Sequence, residues 1–255
     1  MKSYIKSIVA IFIGILFLYS CKKSDTIQNT LSTKVKTYSE EVTNFGSTSG
    51  DTFNVVYDID NRVISLISPF SDAQFLYTYT SSSTYTFEIK NGPHLVIREF
   101  SYINGNSFVD STFQYNDTND STTMKFIYNS NNQLIEQKTY TYSLPIGAVM
   151  FRKNKFVYDS QGNLFKNFEL TATGDTNMVT TYTYTNIIGN TFSLATIYYP
   201  AFHKYLPETI TNYYPSSNTT VLSALTYVFD NYNRVIKETQ TNSAGNYSIK
   251  KYDYY

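Results

Sequence analysis

A ten-residue pattern that occurs four times constrains the fold of this 255-residue chain more than any other feature. Each copy has three apolar or aromatic residues, then Asp or Asn, two variable positions, Asn or Gly, one polar residue and two apolar residues. Because an internal repeat marks a structural unit that recurs, the four copies should share one local structure. They align without gaps and occupy Val55–Ile64, Phe126–Ile135, Phe156–Phe165 and Tyr227–Ile236.

The spacing of the polar residues in this pattern predicts a β-hairpin. An Asp or Asn at the first position of a type I turn caps the backbone two residues later. Three residues after it, Asn or Gly tolerates the left-handed conformation that closes such a turn with a bulge. The pattern therefore specifies hairpins and no catalytic group. The predicted structural turn residues are Asp58, Asn61, Asn129, Asn132, Asp159, Gly162, Asp230 and Asn233.

The rest of the chain also favours an all-β fold. Aromatic residues make 17% of the chain, more than the 16% that are charged, and aromatic and β-branched residues prefer strands. Polar and apolar side chains alternate, as in Thr84–Lys90, and turn residues recur about every 10–14 positions. We therefore predict an antiparallel meander of about 14–16 strands that forms a strongly curved sheet or an open barrel.

Two pairs of landmarks indicate an internal duplication. Tyr57 and Tyr158 lie about 100 residues apart, and so do Tyr128 and Phe229. We therefore predict a β-meander domain over residues 41–255 that consists of two duplicated halves, at about 50–150 and 151–255.

The N-terminus has the features of an export signal. Lys2 and Lys6 precede an uninterrupted apolar run, Ile8–Tyr19. This run is shorter than the about 20 residues that a spanning helix needs, and it fits a signal peptide. We predict a signal helix within residues 1–20 and a tether over 21–40. The alternatives are an ordinary secretory signal and an uncleaved anchor helix.

The segment Leu18-Tyr19-Ser20-Cys21 resembles the lipobox of bacterial lipoproteins and contains the only cysteine. The resemblance implies cleavage before Cys21, a diacylglycerol on its thiol and a further acyl chain, such as palmitate, on its amino group. More than one acyl chain gives stable membrane anchoring. Lys22-Lys23 stands where an Asp would favour retention at the inner membrane. We therefore expect an outer-membrane lipoprotein that faces the periplasm or the cell surface.

The Tyr-Asp segments, such as Tyr57-Asp58 and Tyr158-Asp159, are similar to the YD-type repeats of bacterial surface and toxin-shell proteins. Together with the lipobox, they resemble uncharacterised bacterial lipoprotein families described as having a porin-like fold. This resemblance covers most of residues 50–255 and brings no catalytic residues. An integral outer-membrane barrel is less favoured, because strands such as Thr139–Tyr142 alternate Tyr with Thr and lack the apolar outward face that lipid requires.

Composition excludes several kinds of site. The 20 basic and 20 acidic residues balance, so the basic surface of a nucleic-acid binder is not expected. The two histidines, His94 and His203, lack zinc-ligand spacing. Asn116–Asp120 is rich in oxygen ligands but fits a turn better than a Ca²⁺ loop. We predict no catalytic residue, no metal and no cofactor.

Two Tyr-Tyr-Pro motifs indicate a candidate ligand surface, because exposed tyrosines stack on sugars and peptides. We predict a lipid-anchored envelope protein with a non-enzymatic binding or interaction role. Its partners would be the membrane, through Cys21, and a protein or a glycan. The alternatives are a carrier of a lipid or other apolar ligand in a half-barrel and, less favoured, an integral barrel or a hydrolase. The candidate surface residues are Tyr198, Tyr199, Tyr213 and Tyr214.

Overall fold

A computed structural model describes residues 34–44, 47–116, 121–143, 147–189 and 203–255 of the chain. The antiparallel all-β meander predicted from the sequence is confirmed, and it has sixteen strands in this part of the chain. The strands are β1 (Val35–Asn44), β2 (Ser47–Tyr57), β3 (Val63–Ile67), β4 (Ala73–Tyr79), β5 (Thr84–Asn91), β6 (His94–Ile103), β7 (Val109–Asn116), β8 (Ser121–Tyr128), β9 (Leu134–Ser143), β10 (Gly147–Tyr158), β11 (Leu164–Thr171), β12 (Thr176–Ile188), β13 (Tyr205–Tyr214), β14 (Thr219–Phe229), β15 (Val235–Asn242) and β16 (Tyr247–Tyr254).

The sheet closes on itself, so the prediction of a curved sheet or an open barrel is wrong. β1 pairs with β16 from Val35, opposite Tyr254, to Thr43, opposite Tyr247. Every other pairing joins strands that are consecutive in sequence, so β1 and β16 would otherwise each present an unpaired edge. Their pairing removes both edges and produces a closed barrel.

The first strand begins earlier than the sequence indicates. β1 starts at Val35, inside the range predicted as the tether. The predicted signal helix and Cys21 lie outside the described residues. Within the described ranges, no helix has the length and apolar character needed to cross a membrane.

The four repeated segments form turns of one geometry at one end of the barrel. The Asp58 N–H donates to the Arg62 carbonyl (2.9 Å), and the Arg62 N–H donates back to Oδ1 of Asp58 (2.8 Å). Because all four turns follow even-numbered strands, they lie at the same end, which we call the base; the opposite end is the rim. The turn-closing residues have left-handed φ angles of 64°, 60°, 88° and 59°, at Asn61, Asn132, Gly162 and Asn233.

The polar residue that follows the left-handed position completes these turns. Nε of Arg62 donates to Oδ2 of Asp58 at 2.7 Å, and Arg234 makes the same contact with Asp230, also at 2.7 Å. Desolvation alone would raise the pKa of Asp58, but the hydrogen bonds from Arg62 outweigh it and lower that pKa. In the three copies that have Asp, the turn thus fixes both oxygens of the carboxylate.

Tyrosine hydroxyls tie the strands together just inside the base. In seven of the even-numbered strands, a tyrosine donates to the carbonyl of a residue at or near the start of the preceding odd-numbered strand, at 2.5 to 3.0 Å. Each bond satisfies a carbonyl that lies beyond the end of the pairing between those two strands. We call these donors the tyrosine ring: Tyr57, Tyr79, Tyr128, Tyr158, Tyr184, Tyr227 and Tyr254.

The two predicted halves stay a prediction. Among the described residues, Tyr57 and Tyr158 end β2 and β10, which are eight strands apart, whereas Tyr128 and Phe229 end β8 and β14, which are six strands apart. Residues 190–202, between β12 and β13, lie outside the described residues.

We predict that Tyr158→Phe destabilises the barrel. The substitution removes the hydroxyl that donates to the Leu134 carbonyl (2.9 Å), so the carbonyl loses this hydrogen-bond donor. The free energy of unfolding in urea should fall by about 1–2 kcal/mol. The matched control is Tyr102→Phe, at an exposed position on β6, which should change the free energy of unfolding by less than about 0.5 kcal/mol. Equal losses in the two variants would contradict the role of the ring.

Candidate functional site

The lumen of the barrel is packed with side chains at mid-height. Fifteen strands each place a buried side chain on the inward face. In a water-filled channel these side chains would be exposed to solvent, so the interior over the described residues is a core and not an aqueous pore. The inward-facing residues, one from each of these strands, are Tyr38, Phe53, Leu66, Phe75, Tyr85, Ser101, Thr112, Met124, Thr139, Asn154, Asn167, Thr180, Ser223, Glu238 and Tyr252.

The lumen divides into an aromatic arc and a polar arc. On β1 to β5 the inward faces are largely aromatic, and the ring centroids of Phe53 and Phe75 are 5.1 Å apart. On β6 to β12 they carry many buried hydroxyl, amide and carboxyl groups. Two hydroxyls, two amide oxygens and one guanidinium nitrogen in this arc have no hydrogen-bond partner among the described residues: Thr112 Oγ1, Thr139 Oγ1, Asn154 Oδ1, Asn167 Oδ1 and Arg152 Nε.

Two buried carboxyl groups in the lumen differ in their partners. Glu238 pairs with Nζ of Lys250 at 3.1 Å, across neighbouring strands. Glu99 accepts a hydrogen bond from Oγ of Ser101 at 3.1 Å. Burial raises the pKa of Glu99 to about 7, and the Ser101 bond opposes this shift only in part. Glu99 therefore titrates near neutral pH inside the barrel.

The outer wall carries charged side chains at mid-height. Nε of Arg98 lies 2.5 Å from one carboxylate oxygen of Glu88, and Nζ of Lys90 lies 3.0 Å from the other. Nζ of Lys138 lies 3.1 Å from Glu136. A barrel surrounded by lipid presents an apolar band about 25 Å tall, and Lys or Arg at its centre costs about 2–4 kcal/mol. The wall formed by β5, β6 and β9 is therefore suited to water.

A groove of about 440 Å³ lies near the rim, where β16, β1 and β2 adjoin. Gly50 is part of its lining, and a side chain is not accommodated at this position, because a Cβ would lie only 2.7 Å from the Glu40 carbonyl oxygen. Hydroxyl groups, carboxylates, one ammonium and one aromatic ring surround it. The lining residues are Ser39, Glu40, Glu41, Thr48, Ser49, Gly50, Asp51, Thr52, Phe70, Ile249 and Lys251.

The turn between β3 and β4 holds Phe70 at this groove. Asp51 of β2 accepts hydrogen bonds from the hydroxyls of Ser68 (2.6 Å) and Ser71 (2.5 Å). Oγ of Ser68 in turn accepts the N–H of Phe70 at 3.1 Å. Phe70 is 82% exposed, although its backbone N–H is fixed by this bond. An exposed aromatic ring beside polar groups can provide an apolar contact for a ligand.

The tyrosines predicted as a ligand surface do not line this groove. Tyr198 and Tyr199 lie outside the described residues. Tyr213 and Tyr214 lie near the rim end of β13, which β14 and β15 separate from β16. The hydroxyl of Tyr213 donates to Asn218 of the adjacent turn, at 3.2 Å. No residue of the groove was predicted from the sequence, although the Ser68-Pro69-Phe70-Ser71 turn carries an exposed aromatic as a signal.

The two histidines lie at opposite ends of the barrel. His94 begins β6 at the rim, whereas His203 is buried near the base, where its Nδ1 contacts the hydroxyl of Tyr184. Burial lowers the pKa of His203 to about 3, so its ring is neutral at physiological pH. Within the described ranges, no three His, Cys, Asp or Glu side chains are grouped so that they could hold a metal ion.

The closed sixteen-strand barrel defines the chain as a porin-like β-barrel in fold, and two solved structures share this architecture. A porin-like protein from Bacteroides uniformis aligns with a TM-score of 0.64 and 12% identity, over 88% of this chain and 99% of its own. A porin-like protein from Bacteroides vulgatus aligns with a TM-score of 0.59 and 12% identity, over 87% and 98%. No protein-family model and no curated protein matches the sequence. At this identity the likeness shows the fold alone.

We predict that Glu99 makes the stability of the barrel fall with rising pH. Because its pKa is raised when folded, the folded state holds its proton from the usual 4.5 up to about 7, where the unfolded state has lost it. Stability is therefore lost as pH rises through this window, by about 3 kcal/mol at about 1.4 kcal/mol per unit.

Glu99→Gln tests this prediction, because its side chain does not titrate. The free energy of unfolding in urea should rise for the variant, relative to the wild type, by about 3 kcal/mol between pH 4.5 and pH 8. The control is Glu208→Gln, at an exposed position on β13, which should follow the wild type at both pH values. A constant difference between Glu99→Gln and the wild type would contradict the assignment.

Proposed function

We propose that the protein is a lipoprotein of the bacterial cell envelope, acylated at Cys21, whose barrel binds a glycan at the rim groove without catalysing a reaction. The lipobox at Leu18–Cys21 supports the anchor. The charged outer wall supports a barrel that stands in water and so needs an anchor to stay at a membrane. With Lys22-Lys23 after the cysteine, we propose the outer membrane, with the barrel facing the periplasm or the cell surface.

The exposed Phe70, whose backbone N–H bonds to Ser68 beside the groove, is the observation that carries the binding role. An aromatic face packs against the apolar C–H face of a sugar ring, and hydroxyl and carboxylate groups beside it accept hydrogen bonds from sugar hydroxyls. The groove supplies such acceptors from Glu41, Asp51 and Thr52, and Lys251 supplies a donor. Its volume of about 440 Å³ is within the range of small-ligand sites.

A carrier of apolar ligands fits the barrel less well. That alternative requires an open half-barrel with a free apolar concave face, whereas β1 and β16 close the sheet. An apolar ligand in the lumen would displace buried side chains such as Phe53 and Tyr85. A hydrolase that uses both histidines is disfavoured too, because His94 and His203 lie at opposite ends.

The anchor predicts a defined mass at the mature N-terminus. When the full chain is expressed in a Gram-negative host, mass spectrometry should find an N-terminal peptide that begins at Cys21 and carries acyl chains. Globomycin, which blocks lipoprotein signal peptidase, should cause the unprocessed precursor to accumulate. The Cys21→Ala variant should incorporate no labelled palmitate. A mature protein with an unmodified thiol at Cys21 would overturn the anchor.

The groove predicts glycan binding that depends on Phe70. Neutral oligosaccharides of two to six sugar units are tested on an array against the full chain in lauryldimethylamine oxide, because sugar-based detergents would compete. Phe70→Ala should weaken binding of the best glycan about fivefold, or about 1 kcal/mol. The control is Phe151→Ala, at another exposed phenylalanine, on β10. Absence of glycan binding, or equal losses in both variants, would contradict the proposed ligand.

A further inference from the structure

The base of the barrel carries a band of outward apolar side chains. The middle residue of the first apolar triplet is exposed in all four repeats, as are two apolar residues on the strands that follow. Single exposed apolar residues are common on protein surfaces, but here one position repeats around the barrel. We call these six residues the base collar: Val56, Ile127, Val157, Val228, Ile135 and Phe165.

The collar is narrow. On the four strands that carry the repeats, the next outward-facing residue toward the rim is polar: Asn54, Lys125, Lys155 and Thr226. Outward positions on one strand are about 6.6 Å apart, so the apolar band is about 5–10 Å tall. Two of the four turn tips beyond it add an apolar residue, Ile59 (96% exposed) and Tyr232 (58% exposed), whereas the other two carry Ser130-Asn131 and Ser160-Gln161.

The chain enters the barrel at the same end. β1 begins at the base, where Val35 pairs with Tyr254 and the Lys34 carbonyl accepts the N–H of Tyr255. Cys21 lies thirteen residues before Lys34, so even a fully extended connection reaches at most roughly 45 Å. An acyl group on Cys21 therefore keeps the base close to the membrane that holds it.

We propose that the base collar rests in the interfacial region of the bilayer that holds the acylated Cys21, so that the barrel stands on the membrane with its rim and groove directed away from it. This inference rests on the proposed anchor. An interfacial element buries its apolar face about 5–10 Å deep, which matches the height of the collar. A lipid surface is the occupant argued for here, because the collar lies at the end of the barrel where the anchored chain enters.

Neighbouring charges set the depth of this contact. Lys166 is paired opposite Val157, and Lys237 opposite Val228, on the outward face. A lysine can lay its aliphatic stem along an apolar surface while its ammonium reaches the lipid headgroups. Above this level, the ion pair of Glu88 and Arg98 requires water. The base can therefore enter the interface, whereas the middle of the barrel stays outside it.

Single tryptophans test this orientation, because the natural chain has none. Val157→Trp and Val56→Trp place the reporter on β10 and β2, on opposite sides of the collar. Tyr142→Trp, at an exposed outward position toward the rim of β9, is the control. Each full chain is reconstituted in phosphatidylethanolamine–phosphatidylglycerol vesicles, with and without brominated acyl chains. Circular dichroism checks that each variant folds.

Both collar variants should lose most of their fluorescence in brominated vesicles, while the rim variant keeps it. Quenching of only one collar variant would mean that the barrel lies on its side, and equal quenching of all three or of none would also overturn the proposal. A blue shift that grows with protein concentration in the absence of vesicles would assign the collar to a second copy of the chain instead. Mass spectrometry of Cys21 in the same samples separates a failed anchor from a failed orientation.

Discussion

The pairing of β1 with β16 is the contact on which the rest of the structure depends. Once the sheet is closed, it has one inward face, and side chains fill that face because they have no other route to burial. The antiparallel order of the strands places all seven even-to-odd connections at one end, where the tyrosine ring can form. The carbonyl that Tyr57 binds belongs to Val35, the residue with which β1 begins. The base is therefore built partly by the residues that close the barrel.

The barrel has a porin-like fold, but its packed lumen does not suit the channel that this fold suggests. A channel needs a wet lumen, and this lumen contains an aromatic arc packed against a polar arc over the described residues. The surfaces left for recognition are the rim, the outer wall and the base. The rim groove has hydroxyls, charges of both signs and an exposed aromatic ring, whereas the base carries the apolar collar next to its polar turns. The two ends of one barrel are thus suited to different environments.

The hairpins could be predicted from the sequence because their cause is local. Asp58 and Asn61 lie within one turn, and their spacing in the sequence specifies the geometry of that turn. Closure could not be predicted, because Val35 and Tyr254 are distant in sequence and nothing in either strand identifies its partner. The groove depends in the same way on a turn that folds onto Asp51 of another strand. The collar did leave a local signal: three successive apolar residues in each repeat interrupt the alternation of a strand, so both of its faces are apolar there.

The polar arc of the lumen has a consequence for how the strands align. Sliding one strand by two residues preserves which side chains point inward. Alternation alone therefore permits several values of the shear, the total stagger of strand register around the barrel. Such a slide of β6 toward the base would move Glu99 closer to the buried layer that contains Val109. A carboxyl group gains nothing there that offsets its desolvation. The buried polar groups therefore favour one strand register among those that hydrophobic patterning permits, and the barrel gains this specificity at a cost in stability.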